Sequence, residues 1–144
     1  MNRRLRWLFL AVGAGEIFTG LLLLGAPDWT LERLGIAVLP AEPIYLRFVG
    51  AFVTSVGISY LWGFLPAARA AAERQRTVLA VTALQRITVA LFLAVSVSLS
   101  ALSPPWTAVA LYDATVAVFQ AGVCRRTRRA KAGAAPLSAL REVP

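Results

Sequence analysis

The stretch VLAVTALQRITVALFLAVSVSLSAL, residues 78–102, carries one charged side chain, Arg86, in twenty-five positions. An α-helix rises 1.5 Å per residue, so roughly 20 apolar residues cross a hydrocarbon core of about 30 Å. The stretch reads as a membrane span. Three further runs of this kind lie at about 5–26, 44–65 and 106–124. Pro27, Pro43, Pro66 and the turn Ser103-Pro104-Pro105 mark their ends, where a missing amide donor does least harm. The expected fold is an all-α bundle of four transmembrane helices over residues 1–126, followed by a basic, flexible tail over 127–144.

Composition agrees with this reading. The chain has 144 residues, of which 58% are hydrophobic, more than a soluble domain usually carries. It is too short to hold a soluble catalytic domain beside the spans. Trp7, Tyr45, Trp62 and Trp106 fall near the run ends, as in an interfacial aromatic belt. Arg3, Arg4 and Arg6 before the first run would also suit a signal peptide. Against that, the apolar stretch continues through Leu24, about twice the usual length of a cleavable segment.

The net charge of +8 raises the possibility of a nucleic-acid partner. The basic residues lie between the spans and in the tail, without interleaved aromatics to stack bases, so lipid headgroups are the expected anions. Arg3, Arg4, Arg6, Arg69, Arg74, Arg76, Arg125, Arg126, Arg128, Arg129, Lys131 and Arg141 all fall on one side of a four-span topology. The other side has only Arg33, beside Asp28, Glu32 and Glu42. The positive-inside rule then predicts both termini in the cytoplasm, in the inner (cell) membrane of a bacterium. Residues 27–43 mix Trp29, Leu31, Leu34 and Ile36 with charges behind a helix-starting Pro27. They predict a short helix, lying on the outer membrane surface or lidding the bundle, or else an ordinary loop.

Cys124 is the only cysteine and histidine is absent, which excludes an intramolecular disulfide, a CxxC redox pair and a His/Cys metal site. No metal or other cofactor is expected. Cys124 itself reads as an ordinary apolar residue; S-palmitoylation there would need a eukaryotic host.

Four ionisable residues remain inside the runs: Glu16, Arg47, Arg86 and Asp113. Each charge at the bilayer centre costs roughly 3 kcal/mol, so they should face inward and compensate one another. Small residues at helical spacing support that orientation. Gly13, Glu16 and Gly20 share a face of the first run, and Arg47, Gly50, Thr54 and Gly57 a face of the second. Thr82, Arg86 and Ala90 align in the third run; Ala110, Asp113, Ala117 and Gln120 align in the fourth. Depth along the spans predicts an Arg86–Glu16 pair toward the inner half and an Arg47–Asp113 pair toward the outer half. Gln85 and Gln120 are candidates for added hydrogen bonds, although Gln85 cannot share a face with Arg86. A buried pair can also serve only to fix helix register, and Arg47 could snorkel to the interface.

The segment Leu46-Arg47-Phe48-Val49-Gly50-Ala51-Phe52, continuing through Gly57 and Tyr60, resembles the second helix of the DoxX-like family of small membrane proteins. Arg86 in Leu84-Gln85-Arg86, Asp113 in the fourth run, and Leu34-Gly35 after the first are similar too. The resemblance implies a four-helix bundle and assigns no activity; Glu16 has no counterpart in it. A lone Glu in the first of four short spans also resembles small multidrug transporters. Arg47 and Arg86, which would repel cations, and the strong charge bias both depart from that pattern.

Three functions follow as expectations. One is a bundle that binds a lipophilic small molecule, such as a quinone, isoprenoid or sterol-like compound. It could act on that molecule by acid/base chemistry (isomerisation, cyclisation or epoxide opening), with Glu16 and Asp113 as catalytic groups. Arg47, Arg86, Gln85, Gln120 and Tyr112 would be its substrate-binding residues. The second is an accessory or scaffold subunit bound to another membrane protein, and the third an oligomeric proton-coupled transporter.

Overall fold

The computed structural model describes residues 3–36, 42–65 and 71–139. Pro66, expected to close the second run, and Arg69 and Arg141, counted among the basic residues, lie outside them. Among the described residues five helices run in the order α1 (Arg3–Gly25), α2 (Pro27–Arg33), α3 (Pro43–Phe64), α4 (Ala71–Ser98) and α5 (Trp106–Ala139). Four of them, α1, α3, α4 and α5, are long and apolar enough to cross a membrane. Their outer surfaces carry bulky apolar residues such as Phe18, Phe48, Leu84, Phe92 and Val118, each more than 60% exposed. Such a surface suits lipid and not water.

The closest packing joins α1 to α3, and the four glycines of the two predicted faces make it. A Cβ on Gly57 would lie 2.6 Å from the carbonyl oxygen of Gly13, and one on Gly50 would lie 2.7 Å from that of Gly20. The converse holds for Gly20, whose Cβ would lie 2.6 Å from the Gly50 carbonyl oxygen. Paired Gly13–Gly57 and Gly20–Gly50 levels, seven residues apart on each helix, define an antiparallel contact in which only hydrogen fits. α4 and α5 form the second close pair, and α3 packs on α4. Going around the bundle the order is α1, α3, α4, α5. The fourth side is the most open: among the described residues α1 and α5 nowhere bring Cα atoms within 8 Å, and they meet through side chains such as Phe9 and Phe119.

Within residues 27–43, α2 occupies Pro27–Arg33. Its end forms a Schellman turn. The Ile36 amide donates to the Leu31 carbonyl, the Gly35 amide donates to that of Glu32, and Gly35 takes φ +74°. The turn brings Leu31 and Ile36 together, and both are buried against Leu23 of α1 and Leu46 of α3, with Trp106 alongside. The segment thus covers one end of the bundle. α4 ends in the same motif, with Ser100 and not glycine in the left-handed position, φ 58°. A left-handed conformation costs an L-residue about 1 kcal/mol or more. Ser100→Gly is expected to raise the melting temperature in detergent by a few degrees.

At the opposite end, arginines that count toward the charge bias also cap helices. Arg6 Nε donates to the Phe64 carbonyl at 2.8 Å, and Arg74 Nη2 to that of Leu65 at 3.2 Å, both at the C-terminus of α3. Cations there complement the negative end of the helix dipole. Arg74 also lies over the Trp62 ring, 5.2 Å from its centroid. Trp7, Tyr45 and Trp62 are exposed near helix ends as an aromatic belt requires, whereas Trp106 packs inward against the α2 cluster. α5 continues as helix through Ala139, so residues 127–139 of the basic tail are helical. Alanine and the basic residues there favour helix, against Gly133 and Pro136.

Candidate functional site

Arg86 is the centre of the polar constellation. It lies midway along α4 and is 4% exposed, between Thr82 and Ala90, which are also buried. Its planar fork sends each nitrogen to a different helix. Nη2 donates to Glu16 Oε1 of α1 at 2.5 Å, and Nη1 donates to Asp113 Oδ1 of α5. Nε makes a long contact of 3.4 Å to the hydroxyl of Tyr60 on α3. All four spans therefore meet at one guanidinium. A lysine could not reproduce this, because its donors radiate from one point.

Tyr60 extends the network. Its hydroxyl also receives the Gln120 side-chain amide of α5, and both residues are fully buried. The other amide atom of Gln120, Oε1, is buried without a partner. The Tyr60 ring stacks with Phe9 and Phe64, whose centroids lie 6.3 and 6.4 Å away. Tyr112 lies half-exposed, its ring centroid 5.6 Å from the Arg86 guanidinium carbon. Loss of the Tyr60 hydroxyl would leave Gln120 and Arg86 Nε unpaired in an apolar core. Tyr60→Phe should therefore cost about 1–3 kcal/mol, measurable as a lower melting temperature in detergent.

Of the expected pairs, Arg86–Glu16 is present. The Arg47–Asp113 pair is not: Asp113 belongs to Arg86, and Arg47 is exposed on the first full turn of α3. Helical geometry explains the difference. At about 100° per residue, Arg47 sits some 60° from Gly50 on one side and Leu46 some 40° on the other. Leu46 takes the inward place and is 5% exposed. Asp113 in turn is reached from α4 by a long, flexible side chain, which depth along the helix axes does not capture.

Gln120 joins the network as expected, though through Tyr60 and not through a carboxylate. Gln85, on a different face of α4 from Arg86, makes no side-chain hydrogen bond among the described residues. Tyr60 is the participant that polar-residue counting missed. Its signal was positional, because it follows Gly57 by three residues on the inward face of α3. Compared with family models, curated proteins and solved structures, the chain matches none.

Proposed function

We propose that the protein binds a lipophilic small molecule at the Arg86 cluster, reached from the bilayer through the open side between α1 and α5. The observation that carries this reading is the coincidence of a buried polar centre with the one side of the bundle that lacks close backbone packing. The Glu16 and Asp113 side chains retain 12% and 13% of their surface. We assign this remaining surface to the α1/α5 side, where among the described residues the two helices bring no Cα atoms within 8 Å. A Phe9–Phe119 ring contact at 5.9 Å bounds the opening toward one end, and the cluster of Leu23, Leu31 and Trp106 bounds it toward the other. The walls are apolar and the polar groups few and convergent, the usual composition of a small-molecule site.

Within that site Glu16 and Asp113 are the groups able to exchange a proton with a bound molecule, in isomerisation, cyclisation or epoxide opening. Arg86 holds both carboxylates in place and orients them. Arg47 and Gln85 drop out of the proposed site, and Gln120 and Tyr60 support it from behind. The bias of basic residues favours an orientation with both termini and the α3–α4 connection in the cytoplasm. The DoxX-like resemblance accords with the bundle and with the inward Arg86 and Asp113.

A second reading, an accessory subunit of a membrane complex, draws on a different feature. An apolar groove of about 320 Å³ runs along α4 and α5, floored by small residues including Ala90, Ala94, Ala110 and Ala114. Small-residue surfaces of this kind admit close approach of another helix. Mass spectrometry of small molecules retained through mild detergent purification separates the two. A lipophilic species enriched with the wild type and depleted with Glu16→Gln is expected. Cargo-free samples of both, together with a stable hetero-complex, would overturn the ligand reading in favour of the subunit.

A further inference from the structure

The geometry of the cluster changes its charge count. Two acids and two bases inside the spans would balance, but Arg47 is exposed and takes no part, so two carboxyl groups share one cation. Every spanning helix contributes groups to the site. α1 contributes Glu16, α3 the neutral phenol of Tyr60, α4 Arg86 alone, and α5 Asp113 with the neutral Tyr112 and Gln120. Thr82, one turn from Arg86, donates its hydroxyl to the Val78 carbonyl and adds no charge. No second cation reaches the carboxylates among the described residues. With both acids ionised, the span would hold an uncompensated negative charge.

We propose that the cluster is a proton-binding site, holding one exchangeable proton on the Glu16–Asp113 pair. Two carboxyl groups at one low-dielectric site do not readily ionise together, and their protons belong to the pair and not to either residue. One proton brings Arg86, one carboxylate and one carboxylic acid to neutrality, the state a hydrocarbon surrounding favours. Release of that proton leaves the guanidinium with two carboxylates, and uptake restores the neutral site, so charge and atoms balance without a co-reactant. The slight exposure of both side chains provides the exchange route. Proton binding at this site does not require an organic molecule to enter between α1 and α5.

Infrared difference spectroscopy of the full chain in nanodiscs at neutral pH tests it. Wild type minus Glu16→Gln and wild type minus Asp113→Asn should each show one carboxylic-acid C=O band that shifts on transfer to D2O. Each variant retains one carboxyl group beside Arg86, a balanced pair with no proton to hold, so the band should vanish in both. Arg47→Met, at an exposed position outside the cluster, keeps both acids and Arg86 and should retain it. A wild type without the band, or a band persisting in either single-carboxyl variant, overturns the proposal. A band that fails to shift in D2O overturns its exchangeability.

Discussion

Arg86→Met should abolish the folded protein: loss of a monodisperse peak in mild detergent and of a cooperative thermal transition. The substitution leaves the apolar stem volume largely intact but removes the partner that Glu16 and Asp113 share. Removing one member of a buried ion pair costs about 3–5 kcal/mol, because the remaining charge keeps its desolvation penalty. Here two carboxyl groups are stranded, and the Tyr60 hydroxyl loses a contact as well. That loss is comparable with the whole stability of many domains, about 5–15 kcal/mol. Arg86→Lys should preserve the fold with a clearly lower melting temperature, since an ammonium can compensate charge but cannot hold three helices in a plane. Arg47→Met, by contrast, should change the melting temperature little, because Arg47 is exposed. Equal losses from the Arg47 and Arg86 variants would show that the two arginines act as matched partners after all.

The contrast between these arginines marks how far the sequence could be read. Apolar length and proline placement locate the spans to within a few residues, apart from α4, which starts seven residues before the expected run, and α5, which continues beyond it to Ala139. The small-residue faces of α1 and α3 were legible for the same reason: helical periodicity is local, and Gly13, Gly20, Gly50 and Gly57 announce it. Partner choice was not legible. Which acid meets which base depends on a rotation of α3 that puts Leu46 inside and Arg47 outside, and on the reach of one long side chain across the bundle. Tyr60 escaped because a tyrosine in an apolar run looks like packing until its hydroxyl is seen between Arg86 and Gln120. The open α1/α5 side was also beyond reach, since it follows from the spatial order of the helices and not from any one of them.

Glycine substitutions at the α1–α3 contact should be as damaging as the loss of Arg86, for a steric reason. A Cβ at position 57 would meet the Gly13 carbonyl oxygen at 2.6 Å and the Ile17 amide nitrogen at 2.8 Å. These are backbone atoms, so no rotamer change relieves the overlap; the helices must separate along their length. Overpacking a well-fitted core costs about 1–3 kcal/mol when side chains can yield, and more where only backbone can move. Separation would also draw Glu16 away from Arg86, because Glu16 lies between Gly13 and Gly20 on the same face of α1. Gly57→Val is therefore expected to lose both the packing and the polar cluster, leaving no cooperative transition in detergent. Gly122 and Gly15 provide the controls, since a Cβ at either position meets nothing within 4 Å. Gly122→Ala and Gly15→Ala should leave the melting temperature unchanged or slightly raised, by the usual helix preference of alanine over glycine of about 1 kcal/mol. If Gly57→Val melts like these controls, α1 and α3 do not touch through their glycines, and the route by which Glu16 reaches Arg86 fails with that contact.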